Sequence, residues 1–166
     1  MLDALALVAA AGFGPAELGV VVTGSLPTSL REQAERRGPA VAAMLHDHPF
    51  VPYLDVGGLM ARADLLLSFS HPTNQRIPAK IYDYLQSDRP LLILADNPEL
   101  AELATAAGGA AVCGLDQPQA IAAAIRAAYE RGRDHAVVRA AVDGTDSASA
   151  SRQLAEILDR AQARGK

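Results

Sequence analysis

The fold class this sequence predicts is α/β, with helices packed on a parallel sheet. Short apolar runs ("ELGVVVTG", "DLLLSFS", "PLLILA" and "AAVC") alternate with helical stretches of about 10–15 residues. Alternation of that kind requires right-handed crossovers between parallel strands. Helix punctuation points the same way, with Pro98 and Pro118 at helix starts and Gly12, Gly108 and Gly132 just past helix ends. Composition supplies a third observation. Half of the 166 residues are hydrophobic but only 4% are aromatic, so alanine fills much of the apolar quota. Small side chains suit helices lying close on a sheet better than they suit an aromatic-rich sandwich.

Each element has its own signal. "MLDALALVAAAGFG" places Leu2, Leu5 and Ala9 on one face and stops at Gly12, which predicts a short helix. Glu17 to Gly24 is a β-branched run closed by glycine and predicts a buried strand. Pro27 to Arg37 is read as a charged helix, and Gly38 to His48 as a further helical stretch. "FVPYL", Phe50 to Leu54, is read as a strand, with Pro52 moving it to an edge or a strand end. Gly57 to Ala63 is a short helix, "DLLLSFS" the next strand, and Pro78 to Ser87 a helix with proline in its first turn.

"PLLILA" is a continuous apolar strand, after which Asn97-Pro98-Glu99 supplies a cap, an N1 proline and a first-turn acid. Leu100, Leu103, Ala104 and Ala107 then make one helical face, and "AAVC" the last strand. Ile121, Ala124, Ile125 and Ala128 stripe the helix opened by Gln117-Pro118. The stretch from Arg133 to Asp146 is polar and irregular. Leu154, Ile157, Leu158 and Ala161 define a final amphipathic helix, expected to pack on the sheet. The sum is a single doubly wound, Rossmann-like domain over residues 1–166.

Composition also narrows the function. A net charge of −4 argues against a nucleic-acid footprint. One cysteine, Cys113, cannot form an internal disulfide and fits a reducing compartment. It ends an apolar strand and reads as a small buried hydrophobe. No apolar run reaches the roughly 18 residues needed to cross a bilayer. Asp3 is the only early charge, so the basic start of a secretion signal is absent and a cytoplasmic location is expected. His46 and His48 flank Asp47, but on a helix an i, i+2 pair does not share a face, and the chain has no second ligand cluster. No nucleophile elbow, P-loop or G-x-G-x-x-G pattern is present.

In doubly wound sheets ligands sit beyond the carboxyl ends of the strands. That draws attention to "HPTNQRIPAKIYDYLQSDRPLLIL", His71 to Leu94, which leaves one strand and enters the Pro78 helix. The amides at that helix start, those of Ala79 and Lys80, can face an anion. On a helical wheel Lys80, Asp83 and Ser87 fall on one side, opposite Ile81, Tyr82 and Leu85. Asp83 could accept two hydrogen bonds from a ribose diol, or pair with Lys80 at the i, i+3 spacing.

From "IPAKIYDYLQSDRPLLILADNPEL" through the Gln117-Pro118 helix, and with "FVPYLDVGGLMARADLLLSFS" upstream, the sequence resembles the nucleotide-sugar-binding half of group-1 glycosyltransferases. The shared segment is of the type P-x-K-x-[FY]-[DE]-Y-[LM], followed by a small-residue turn, a basic residue, proline, an apolar strand and a proline-capped helix. The resemblance spans about Leu2 to Ala163 and implies one half of a GT-B fold: a Rossmann-like parallel sheet flanked by helices on both faces. It further implies a retaining hexosyltransferase in which this domain holds a nucleotide-diphosphate sugar, with no cofactor and no metal. By that resemblance Asp83 anchors the ribose. The backbones of Arg76, Ile77, Ala79 and Lys80 approach the diphosphate, Tyr53 and Leu54 hold the base, and Gly24 and Ser25 line the opposite side.

Two departures stand out. The family's first acidic residue, near the donor sugar, corresponds to Gln75, an amide. The family's opening strand, its Arg/Lys loop and its N-terminal acceptor domain have no counterpart, so the chain reads as a domain truncated at its N-terminus and inactive by itself. The uncovered surface would invite self-association. Two other readings stay open: a sugar-nucleotide epimerase half-domain, which would need more ionisable groups at the crevice, and a non-catalytic α/β partner-binding module.

Overall fold

The computed structural model describes residues 1–70, 76–132, 136–140 and 147–164. It is α/β, as expected, with helices on both faces of parallel strands. Helix α1 (Leu2–Ala10) buries Leu2, Ala4, Leu5 and Val8. Strand β1 (Val20–Thr23) comes next, then α2 (Thr28–Arg37), α3 (Pro39–Ala43) and β2 (Leu45–His48). A 3-10 turn (Tyr53–Asp55) leads into α4 (Val56–Met60) and β3 (Leu66–Phe69). Then come α5 (Lys80–Leu85), β4 (Leu91–Leu94), α6 (Pro98–Ala107), β5 (Ala110–Cys113), α7 (Pro118–Arg131) and α8 (Ser147–Arg164).

The strands form two sheets rather than one. β1 pairs with β2, and β3-β4-β5 form a second sheet, every pairing parallel. Alternate side chains of β4 go to opposite faces, as strand geometry demands. Leu92 and Leu94 enter a core with Leu5, Val8, Val41, Met44, Ile121 and Ile125, contributed by α1, α3, α7 and the turn before β2. Leu91, Ile93 and Ala95 enter a second core with Ile81, Leu100 and Ala104, from α5 and α6. One core therefore lies on each face, the arrangement of a doubly wound sheet. The Phe13 and Tyr129 rings meet edge to face, their centroids 5.0 Å apart, which ties the chain just past α1 to α7.

Three expectations need correction. Gly38 to His48 is not one helix: α3 ends at Ala43 and Leu45–His48 is a strand. The polar "LHDH" can be a strand because it lies at a sheet edge, where ladder bonds to β1 suffice and only Leu45 must pack inward. "FVPYL" is not a strand. Pro52 withholds a ladder donor and its carbonyl instead accepts from Asp55 N–H, closing the 3-10 turn and leaving Phe50 and Leu54 exposed. On α8, Leu154 and Ile157 are exposed, so that stripe does not pack on the sheet at those two positions.

The helix caps form where the sequence puts them. Asn97 Oδ1 accepts from Leu100 N–H at 3.3 Å, and Gly108 ends α6 at φ 75°. Next to it Gly109 has φ 63°, and a Cβ built there would run into Cγ1 of Val137. That approach is part of a tether in which Val137 N–H donates to Asp88 O at 2.7 Å and Arg139 donates to the carbonyls of Ser87 and Arg89. Asn97→Ala should cost about 1 kcal/mol in urea unfolding. Gly109→Ala should cost about 2–3 kcal/mol, from left-handed strain plus the clash. Adding Val137→Ala should return the clash component, visible as coupling in a double-mutant cycle.

Candidate functional site

Within each sheet the parallel strands place their exits along one edge. Gly24 and Ser25 lie just past β1, Tyr53 and Leu54 past β2, and Arg76 to Asp83 past β3. The expected site residues that lie within the described structure thus come from the carboxyl ends of three strands. Gln75 and His71 lie outside the described residues.

The loop after β1 is the most constrained. Gly24 adopts φ 98°, a left-handed value that favours glycine, and its N–H donates to His48 O at 2.8 Å. Asp47 holds the next turn of chain: its Oδ1 accepts from Leu26 N–H at 2.7 Å and its Oδ2 pairs with Arg31. Asp47 therefore positions the turn that carries Ser25, a role that is lost if "HDH" is taken as helix.

The loops after β2 and β3 meet at one bond. Tyr53 Oη donates to Asp83 Oδ1 at 3.1 Å, across 30 residues of sequence. That bond links the carboxyl edge of the two-stranded sheet to that of the three-stranded sheet. It also answers the local question about Asp83: among the described residues its partner is Tyr53, and no ion pair joins it to Lys80. Donation to the carboxylate holds the Tyr53 phenol above its ordinary pKa, with the Asp83 charge adding to the effect. Tyr84 is raised as well, first by burial and then by the same charge.

Helix α5 is shorter than expected. It starts at Lys80, with Ala79 as its cap and the Pro78 carbonyl accepting from Ile81 N–H at 2.9 Å. Ile81 anchors it in the second core at 0% exposure, which directs the opposite side outward. Six residues sum few peptide dipoles, so any attraction for an anion rests on the local amides and the Lys80 charge. Much of the Lys80 surface meets solvent, yet protein packed around the ammonium strips part of its hydration and lowers its pKa. No carboxylate pairs with it among the described residues.

Tyr53 and Leu54 are exposed at 72% and 92% and so form an open shelf, not a closed pocket. Cys113 is buried, which raises its thiol pKa and leaves it a packing residue. Among the described residues no group of three or more His, Cys, Asp and Glu could hold a metal ion. None of the described helices is long and apolar enough to cross a membrane. No protein-family model, curated protein or solved structure matches the chain.

Asp83→Ala should lower the Tyr53 pKa towards that of free tyrosine, read from the ring resonances in an NMR titration. Lys80 should titrate below a free lysine. Because its charged form is disfavoured on folding, stability should rise as pH climbs through that lowered pKa, and Lys80→Met should remove the rise.

Proposed function

We propose that this chain is the donor-binding domain of a retaining glycosyltransferase, holding a nucleotide-diphosphate sugar along the carboxyl edge of its strands. The observation that carries the reading is the Tyr53–Asp83 hydrogen bond, which brings the shelf proposed for the base against the acid proposed for the ribose. Asp83 is already an acceptor there, and a ribose diol would exchange one neutral donor for two. Lys80 supplies a cation with no carboxylate partner among the described residues, one turn from Asp83 and beside the Ala79 amide. Its lowered pKa means a bound anion would relieve a desolvated charge.

On this reading the domain contributes position and charge. The Tyr53–Leu54 shelf stacks the base, Asp83 fixes the ribose, and Ile77, Ala79, Lys80 and Arg76 line the diphosphate. Gly24 and Ser25 close the far side. As the sugar–phosphate bond breaks, charge grows on the diphosphate, and the amides and Lys80 stabilise it. Transfer itself needs an acceptor and a domain to hold it, so the chain alone is expected to bind without turnover. A cytoplasmic setting fits a donor of this kind.

The partner-binding reading draws on one observation, the exposed Leu154 and Ile157 on α8. The two readings differ in their response to nucleotide. UDP, GDP and ADP titrated separately into the labelled protein should move the amides of Tyr53, Leu54, Ile77, Ala79, Lys80 and Asp83 for one base above the others. Asp83→Ala should weaken that binding about 10-fold or more, the loss of a pair of hydrogen bonds to a charged acceptor. A flat response to all three nucleotides at millimolar concentration would sink the donor-site proposal.

A further inference from the structure

We propose that the Tyr53 hydroxyl is a built-in competitor for the ribose site: in the free chain it occupies the Asp83 carboxylate, and a nucleotide must displace it to bind. This rests on the donor-site reading and adds to it a side chain that sets nucleotide affinity by opposing it.

The first observation is what occupies the acid. Tyr53 Oη donates to Asp83 Oδ1 at 3.1 Å, and among the described residues the carboxylate has no other partner. A carboxylate takes a vicinal diol on both of its oxygens, so the ribose needs the position that the phenol holds. Asp83 is half-buried while Tyr53 is 72% exposed. The phenol therefore lies on the solvent side of the carboxylate, the side from which a nucleotide arrives.

The second observation is which of the two partners is fixed. Asp83 rides on a helix anchored by Ile81 at 0% exposure, with Tyr84 and Leu85 packed against the same core. The acid is thus in place before any ligand arrives. Tyr53 has no such anchor. Pro52 to Asp55 are exposed at every position, in a turn closed by Asp55 N–H donating to Pro52 O at 2.9 Å. The Tyr53 ring enters no aromatic or cation–π pair among the described residues. Its bond to Asp83 is what holds it, and an exposed side chain held at one point changes rotamer within nanoseconds once that bond breaks.

The third observation concerns the exchange itself. A phenol and a ribose hydroxyl are donors of the same kind, and the ribose brings two of them. The exchange is favourable for a nucleotide, yet the bond to Tyr53 is subtracted from its affinity, because only the fraction of chains with a vacant Asp83 can take the diol. Stacking is a separate matter. A ring bonded at its Oη keeps its faces open, so a base can lie on it with or without the exchange. Only the ribose has to evict the hydroxyl.

Tyr53→Phe separates these roles, since it keeps the ring and removes only the hydroxyl. Whichever of UDP, GDP and ADP binds best is titrated into the wild-type chain and the variant, alongside its 2′,3′-dideoxy counterpart, which has no diol to offer Asp83. The variant should bind the ribonucleotide about 3- to 10-fold more tightly, the return of one exposed hydrogen bond to a charged acceptor. Its affinity for the dideoxynucleotide should not change. Unchanged or weaker binding of the ribonucleotide by the variant would overturn the competition and leave the donor site standing. An equal gain for both nucleotides would overturn it as well, because the effect would then bypass Asp83. No binding of any of the three nucleotides to either chain would overturn the donor-site reading and this inference with it.

Discussion

The rest of the structure depends on β4 being buried on both faces. Leu91 to Leu94 are each within 1% of complete burial, and their alternation sends two leucines to one core and a leucine and an isoleucine to the other. At about 1.5–3 kcal/mol per buried aliphatic side chain, this one short strand contributes a large share of the apolar driving force. It also dictates the layering. Helices must cover both faces, so α1 and α7 take one and α5 and α6 the other.

That layering positions the candidate site. Ile81, locked in the second core, sets the rotation of α5 and thereby directs Lys80 and Asp83 to the carboxyl edge. The Arg139 tether fixes the other end of the same segment through the Ser87 and Arg89 carbonyls. At the opposite end of the site, Asp47 and Gly24 fix the exit from β1. The site thus draws its geometry from residues that need not touch a ligand, while the shelf of Tyr53 and Leu54 stays open. One hydrogen bond between Tyr53 and Asp83 closes the arrangement across the two sheets. Among the described residues Asp83 is thus bonded by a phenol distant in sequence, and no ion pair joins it to Lys80 one turn away.

Legibility of the fold varied with how local its cause was. The cap at Asn97-Pro98-Glu99, the stops at Gly12, Gly108 and Gly132, and the apolar run of β4 were all legible, because each acts within a few residues of itself. "LHDH" was not legible as a strand, since an edge strand takes its stability from the neighbour's backbone and leaves little apolar signal of its own. "FVPYL" misled in the other direction: its apolar letters suit a strand, but the proline at its centre favours a turn. The exposed Leu154 and Ile157 show the same limit, because amphipathic periodicity specifies a face and not the surface that covers it.

For the candidate site, Asp83, Lys80 and Tyr53 could each be singled out from residue type, loop position and resemblance. The sequence by itself determined the α/β class, the alternation of strand and helix, and the polar face of α5, because periodicity and capping are properties of adjacent residues. Only the tertiary structure decided that Asp83 meets Tyr53, that Asp47 braces the first loop, and that the strands divide into two sheets. Those outcomes depend on contacts between residues far apart in sequence, and such contacts leave no periodic trace in the segments that make them.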